Sequence, residues 1–300
     1  MSIILYPHMF VGLKYRVFNH LRFLLFNMYY VENWVEVLLY FVNMKSGIEI
    51  RYKNSYRLIL YRTVPHEVSV HYFILKLVNV GCSFEENQVS FKDDFIFKID
   101  PNDLSSYSHI FQTFFDNEYA KLNVQGKIVG DVGASLGDTA IYFAKKGAKK
   151  VYSYEPQKKQ YDLMVENIAL NNLEHMIYPY NVAVQAKPGQ VYITNVEEWS
   201  GASKTSYSEE GKGSWIDAVT LSPEIEVLKM DCEGCEFDVL NNIELKKTNI
   251  QEIILEYHNN LDKLETIIQK QNLEYCILEK HSDRGILYIK IRTPHQRAQK

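Results

Sequence analysis

From residue 128 onward, short apolar runs alternate with stretches of helical periodicity. The runs at 128–132, 151–154, 176–184, 225–230 and 250–256 have the length of buried strands. Between them, 139–146, 157–170, 236–241 and 261–271 space their apolar residues three and four apart, as in Leu264, Ile267 and Ile268. Gly147 is placed to cap the first of these helices. The closing stretch 273–292 reads as a hairpin turning at 282–285. Strands alternating with helices predict an α/β fold with a parallel sheet, and the hairpin gives that sheet an antiparallel edge. Five strands and a hairpin make it seven-stranded. Residues 190–221 interrupt the alternation with two strand-like runs around a polar loop, 197–213.

The front of the chain follows another pattern. Residues 1–45 read as helical, 48–62 as a hairpin turning at Asn54 and Ser55, and 89–99 as a second turning at Asp93 and Asp94. Residues 68–80 fit a strand by content and a helix by length. Residues 103–122 read as a helix with Asp103 near its N-cap. The predicted organisation is an N-terminal α+β extension (1–122), an α/β domain (123–293) and a tail (294–300).

Composition narrows the class. The chain has 300 residues, 46% of them apolar and 23% charged, which is enough to bury a full core. A net charge of −4 without a basic run predicts no nucleic-acid partner. The apolar stretches 21–31 and 34–44 are broken by Glu32 and Glu36 and fall short of the ~18–20 residues that span a bilayer. A membrane-surface helix within residues 10–40 is the lesser alternative to packing on the core, and the expected location is cytoplasmic. Four scattered cysteines fit a reducing compartment, with Cys232 and Cys235 as small side chains behind a functional loop.

The chemistry concentrates in IVGDVGASLGDTAIYFAKKGAKKVYSYEP, residues 128–156. Asp131, Gly133, Ser135, Gly137 and Asp138 form a glycine turn between a strand and a helix, and Glu155 ends the next strand about 20 positions on. Such a turn lets backbone approach a nucleotide-like ligand, while the carboxylate accepts hydrogen bonds from ribose hydroxyls. Asp131 and Asp138 would repel a pyrophosphate but suit a cationic sulfonium, so S-adenosylmethionine is expected over a nicotinamide dinucleotide. Ligands of open parallel sheets sit beyond the carboxyl ends of the strands. Those ends carry Asp131, Glu155, then Asn181 and Val182, then Asp231 with Glu233 and Glu236, and last Glu256 with His258. Glu155 is expected to face solvent when no ligand is present.

DVGASLGDTAIYF, VYSYEP, the Asn167/Asn171 pair, NVAV at 181–184 and LKMDCEGCEFDVL at 228–240 resemble the FkbM family of S-adenosylmethionine-dependent methyltransferases over about residues 118–290. The resemblance implies a Rossmann-like class I methyltransferase fold, a hairpin inserted before the fourth strand, and methyl transfer to an oxygen of a hydroxylated small molecule or glycan. The cofactor residues expected are Asp131, Gly133, Ser135, Gly137, Asp138, Glu155, Asn181, Val182, Asp231 and Glu233. Asp231, Glu256 and His258 are the expected catalytic residues, with His258 as general base because histidine titrates near operating pH. No metal is expected; a divalent metal on those three groups is the lesser alternative. The loop 197–213, with Trp199, is expected to act as a lid. Two other functions stay open: a nicotinamide-dependent oxidoreductase of Rossmann type, and a catalytically silent binding protein on the methyltransferase fold.

Overall fold

Short apolar runs become strands of a seven-stranded sheet because all are too short to form a stable helix and those at its centre are buried on both faces. The structure is a computed structural model that describes all residues except 1–20, 43, 62–66, 93, 101–102, 104, 196–202, 207–212, 282–283 and 292–300. Contacts divide the chain into two units, Met1–Phe95 and Ile96–Lys300.

In the first unit, the residues described from 21 to 30 are helical (α1), followed by α2 (Trp34–Phe41), β1 (Gly47–Arg51), β2 (Arg57–Tyr61), α3 (Glu67–Val80), β3 (Ser83–Glu85) and β4 (Gln88–Phe91). The expected single helix is broken at 31–33. Val31 leaves the helix to bridge Tyr52, and Asn33 bonds the carbonyl of Glu49 and the amide of Arg51. The β1–β2 hairpin turns where expected, with Ser55 at φ 70°. Residues 67–80 resolve as a helix, in which His71, Ile74, Leu75 and Leu77 are buried at helical spacing. His71 lies between Tyr52 (2.6 Å) and Asn27 (2.8 Å), and burial pushes its pKa down to about 3.

Strand β5 (Phe95–Lys98) straddles the division, and the second unit continues with α4 (Ser106–Phe114). That helix ends earlier than its pattern predicts, because Asn117 takes a left-handed conformation (φ 57°). The α/β run follows: β6 (Ile128–Val132), α5 (Asp138–Lys145), β7 (Lys150–Tyr154), α6 (Lys158–Leu170) and β8 (Ile177–Tyr180). After these come β9 (Ala183–Val184), β10 (Gly189–Asn195), β11 (Ser203–Ser206) and β12 (Gly213–Val219). The last elements are β13 (Val227–Met230), α7 (Cys235–Asn242), β14 (Glu252–His258), α8 (Leu261–Lys270), β15 (Glu274–Lys280) and β16 (Arg284–Lys290).

The large sheet has the order β15-β16-β14-β13-β6-β7-β8, and β8, β7, β6, β13 and β14 run parallel. The chain order reverses between β6 and β13, which opens a crevice at their carboxyl ends. The antiparallel member is β16, which pairs with β14 and so sits second from the edge, with β15 outside it. A hairpin whose second strand docks first has no other place for its first strand.

Two further expectations change. The run 176–184 is two strands in different sheets: β8 belongs to the large sheet, whereas β9 pairs with β12 in a four-stranded sheet of order β11-β10-β12-β9. The chain switches sheets at Asn181 and Val182. The stretch expected as a polar loop contributes a strand, since Ser203–Ser206 pairs with Tyr192–Asn195. Residues 197–202 and 207–212 of the expected lid, Trp199 included, lie outside the described residues, and Gly213 begins β12.

The asparagine pair of α6 has a structural use. Asn167 accepts from the amide of Lys98 (2.7 Å) and donates to the carbonyls of Lys98 and Leu136. Asn171 does the same for Ile96. Side-chain amides thus bond the backbone of an edge strand, β5.

Candidate active site at the switch point

The carboxyl end of β6 turns through Gly133 (φ 75°), Ser135 (φ 45°) and Gly137 (φ 89°) before α5 starts at Asp138. Gly133 and Ala134 donate to the carbonyl of Tyr154, which ties the turn to the end of β7. A Cβ on Gly133 would lie 1.7 Å from the carbonyl oxygen of Asp231, so glycine is required where the first and fourth parallel strands end together.

Glu155, one residue past β7, is 5% exposed and not solvent-facing as expected. Its Oε2 accepts from the Ser135 amide (2.9 Å) and its Oε1 from the Gln157 amide (2.8 Å). Burial pushes its pKa up to about 7, against the two amides and Lys229, which favour the charged form. Two amide contacts fix the carboxylate in place before a ligand arrives, and each oxygen has further acceptor capacity. Asn181 donates to the carbonyls of Glu155 and Pro156 (2.9 and 3.0 Å) and so holds this corner. Val182 packs against the core.

Asp131 is fully buried. Its Oδ2 accepts from Thr139 (2.6 Å), and its Oδ1 lies 3.2 Å from the Lys229 ammonium, on the neighbouring strand in register. Lys229 donates to the Gly133 carbonyl as well (2.7 Å). Burial disfavours its charge, but Asp131, Asp231 and Asp138 outweigh that and hold it charged. Asp138 accepts from Thr113 of α4 (2.6 Å). Sequence reasoning gave Lys229 no role, although a lysine inside the apolar run VLKM was the signal available.

Around the end of β13 a second group assembles. Asp231, Glu256 and His258 offer donor atoms that all lie within 4.8 Å of one another. His258 stands between Glu233 (Nδ1 to Oε2, 3.5 Å) and Glu256 (Nε2 to Oε1, 3.5 Å), and its Nδ1 is the buried nitrogen. Burial, then repulsion from Asp231, pushes Glu256 up to about 7. Glu118 is a further member that the sequence reading missed. Burial, then Glu256 and Asp231, pushes it up to about 8. It lies in a non-helical turn after α4 and belongs to no strand end, so no motif marked it. Acidic groups repelling one another around one buried lysine leave a rim that a cationic ligand would stabilise.

Cys232 and Cys235 are joined in a disulfide, a correction to the expectation of two packed thiols. Their three-residue separation across the turn before α7 brings the Cα atoms to 5.6 Å, within bonding range. Cys82 and Cys276 are free. Among the described residues no helix is long and apolar enough to cross a membrane.

The family described as methyltransferase FkbM domain matches residues 131–276, from Asp131 to Cys276. Uncharacterized protein 158B of Sulfolobus islandicus rod-shaped virus 1 is 28% identical over 122 residues, 41% of this chain and 56% of that protein. Uncharacterized protein 65 of a Sulfolobus islandicus filamentous virus is 28% identical over 133 residues, 44% of this chain and 61% of that protein. The chain thus spans little more than half the length of these relatives. Among solved structures, M. capricolum TrmK in complex with S-adenosyl-homocysteine aligns with a TM-score of 0.40 at 14% identity, over 60% of this chain and 69% of that one.

Proposed function

We propose that this chain, which carries a methyltransferase FkbM domain over residues 131–276, binds S-adenosylmethionine at the Gly133 turn and methylates an oxygen of a hydroxylated small molecule or glycan. The observation that carries the reading is Glu155, a buried carboxylate held by the Ser135 and Gln157 amides beside that turn. Its aim and charge suit two ribose hydroxyls, and the partly exposed Asp231 and Glu233 suit a cation better than a pyrophosphate.

S-adenosylmethionine, when bound, supplies a methyl already activated on a sulfonium. The protein's tasks are then alignment and removal of the acceptor proton. Gly133, Ser135, Gly137 and Asp138 shape the methionine side of the site, Glu155 takes the ribose, and Asn181 and Val182 border the adenine. Lys229 and Thr139 fix Asp131 and the turn from behind. Asp231 and Glu233 face the sulfonium side, where their charge attracts the cation. His258 takes the acceptor proton at Nε2, and Glu233 and Glu256 stabilise the imidazolium. The net charge of −4 favours a neutral acceptor over a nucleic acid, and a cytoplasmic location fits use of this cofactor.

A second reading, in which Asp231, Glu256 and His258 hold a divalent cation, is favoured by their 4.8 Å spacing. The test of the main reading is transfer of radiolabelled methyl from S-adenosylmethionine into a fractionated extract. Label in a small-molecule or glycan fraction is expected. Label confined to RNA or protein would contradict the acceptor class.

A further inference from the structure

The disulfide sits in the segment that carries the site. Cys232 follows Asp231 directly, and Cys235 is the first residue of the eight-residue α7. Between them Glu233 is held in a left-handed conformation (φ 54°), unusual for a side-chain-bearing residue, and Gly234 at φ 124°. Glu233 faces His258, and the Asp231 carbonyl fills the space at Gly133. A cross-link closed around Glu233 therefore fixes two site groups and the floor of the glycine turn together.

The surroundings favour exchange over a permanent staple. Cys232 is partly exposed and open to attack, whereas Cys235 is 5% exposed at a helix N-terminus, whose free amides favour a leaving thiolate against the cost of burial. Beside them Glu236 is 1% exposed, with Oε2 bonded to the Gly234 amide (2.9 Å) and 3.4 Å from Cys232 Sγ. Its other oxygen is buried without a partner. In the disulfide, Cys232 has no proton to offer Glu236. As a thiol it would donate to that carboxylate, so the reduced state gains a hydrogen bond that the oxidised state lacks.

We propose that Cys232 and Cys235 form a reversible dithiol–disulfide site, and that its state sets the position of Asp231 and Glu233 at the rim. An external thiolate attacks Cys232 Sγ. The Sγ–Sγ bond breaks, its electron pair leaves on Cys235 Sγ, and that sulfur takes a proton. A second thiol attacks the mixed disulfide, Cys232 leaves as a thiolate and is protonated, and the two external thiols depart as a disulfide. Two electrons and two protons have passed to the chain, and the reverse sequence closes the ring. The location of the site's effect rests on the function proposed above; the exchange itself does not.

The test equilibrates the full chain in buffers of varied glutathione to glutathione-disulfide ratio, then quenches with acid and alkylates in denaturant. Mass spectrometry distinguishes this pair from Cys82 and Cys276, and circular dichroism follows the fold. The expectation is reversible interconversion of the pair with the fold intact, and hydrogen exchange of amides 231–236 at least about threefold faster when reduced. Cys232→Ser and Cys235→Ser, singly and together, should abolish the redox response. Thiols that stay open under oxidising ratios, a cross-link that yields only on unfolding, or equal exchange in both states would overturn the proposal. S-adenosylhomocysteine affinity, measured in parallel, should differ at least about threefold between the states. Absence of binding in both states would instead refute the proposed function, with the exchange readout still deciding this one.

Discussion

The Lys229 ammonium lies 3.2 Å from Asp131 Oδ1, and their side chains are 3% and 0% exposed. They are register partners on adjacent parallel strands, so one ion pair joins the first and fourth strands directly beneath the glycine turn. Breaking a buried pair from one side leaves an uncompensated charge. Lys229→Met is expected to destabilise the fold by about 3–5 kcal/mol. Urea denaturation checks this, and a loss below about 1 kcal/mol would mean that Asp131 folds protonated.

Asn167 is fully buried and holds Lys98 and Leu136 through three hydrogen bonds. Asn167→Ala is expected to cost about 1–3 kcal/mol and to speed hydrogen exchange at the Lys98 amide. S-adenosylhomocysteine affinity should stay near wild type, because the contact is structural.

Much of this was legible in the sequence, for identifiable reasons. The strand-length runs, the Gly147 cap and the buried face of α8 are local patterns, and local sterics and burial decide them. The switch of sheets at Asn181 and Val182 was not legible, because 176–184 has the length and β-rich content of one strand and only pairing with β12 divides it. The strand Ser203–Ser206 is polar and is made by its partner β10. Among site residues, those at strand ends followed from topology. Glu118 did not, because it reaches the site from a turn whose place depends on tertiary packing.

The pH dependence of stability has a definite sign. Glu155 and Glu256 are pushed up to about 7 and Glu118 up to about 8, all above their unfolded values. Between the unfolded and folded pKa values the native state binds more protons, so stability falls as pH rises through this window. The apo protein is expected to melt at a higher temperature at pH 5 than at pH 8. S-adenosylhomocysteine affinity should move oppositely through Glu155, since its ionised form accepts best, and rise as pH passes about 7.

His258 separates the base and cation readings. His258→Gln should lower methyl transfer by about 10²–10⁴-fold, in line with a lost general base, with S-adenosylhomocysteine affinity nearly unchanged. Treatment with EDTA should leave transfer at its full rate. Loss on chelation with recovery on adding Mg²⁺ or Mn²⁺ would move Asp231, Glu256 and His258 to the cation reading.

A site for S-adenosylmethionine at the Gly133 turn and Glu155 stands or falls on cofactor binding. Calorimetric titration of the wild-type chain and of Glu155→Ala with S-adenosylhomocysteine, and separately with NAD, tests it most directly. One S-adenosylhomocysteine bound per chain and no NAD is the expected result. In the variant, losing two hydrogen bonds to a charged group, each worth roughly 1.5–3 kcal/mol, should weaken binding at least about 100-fold. Circular dichroism would confirm that the variant is folded. NAD binding, or unchanged S-adenosylhomocysteine affinity in folded Glu155→Ala, would contradict the account.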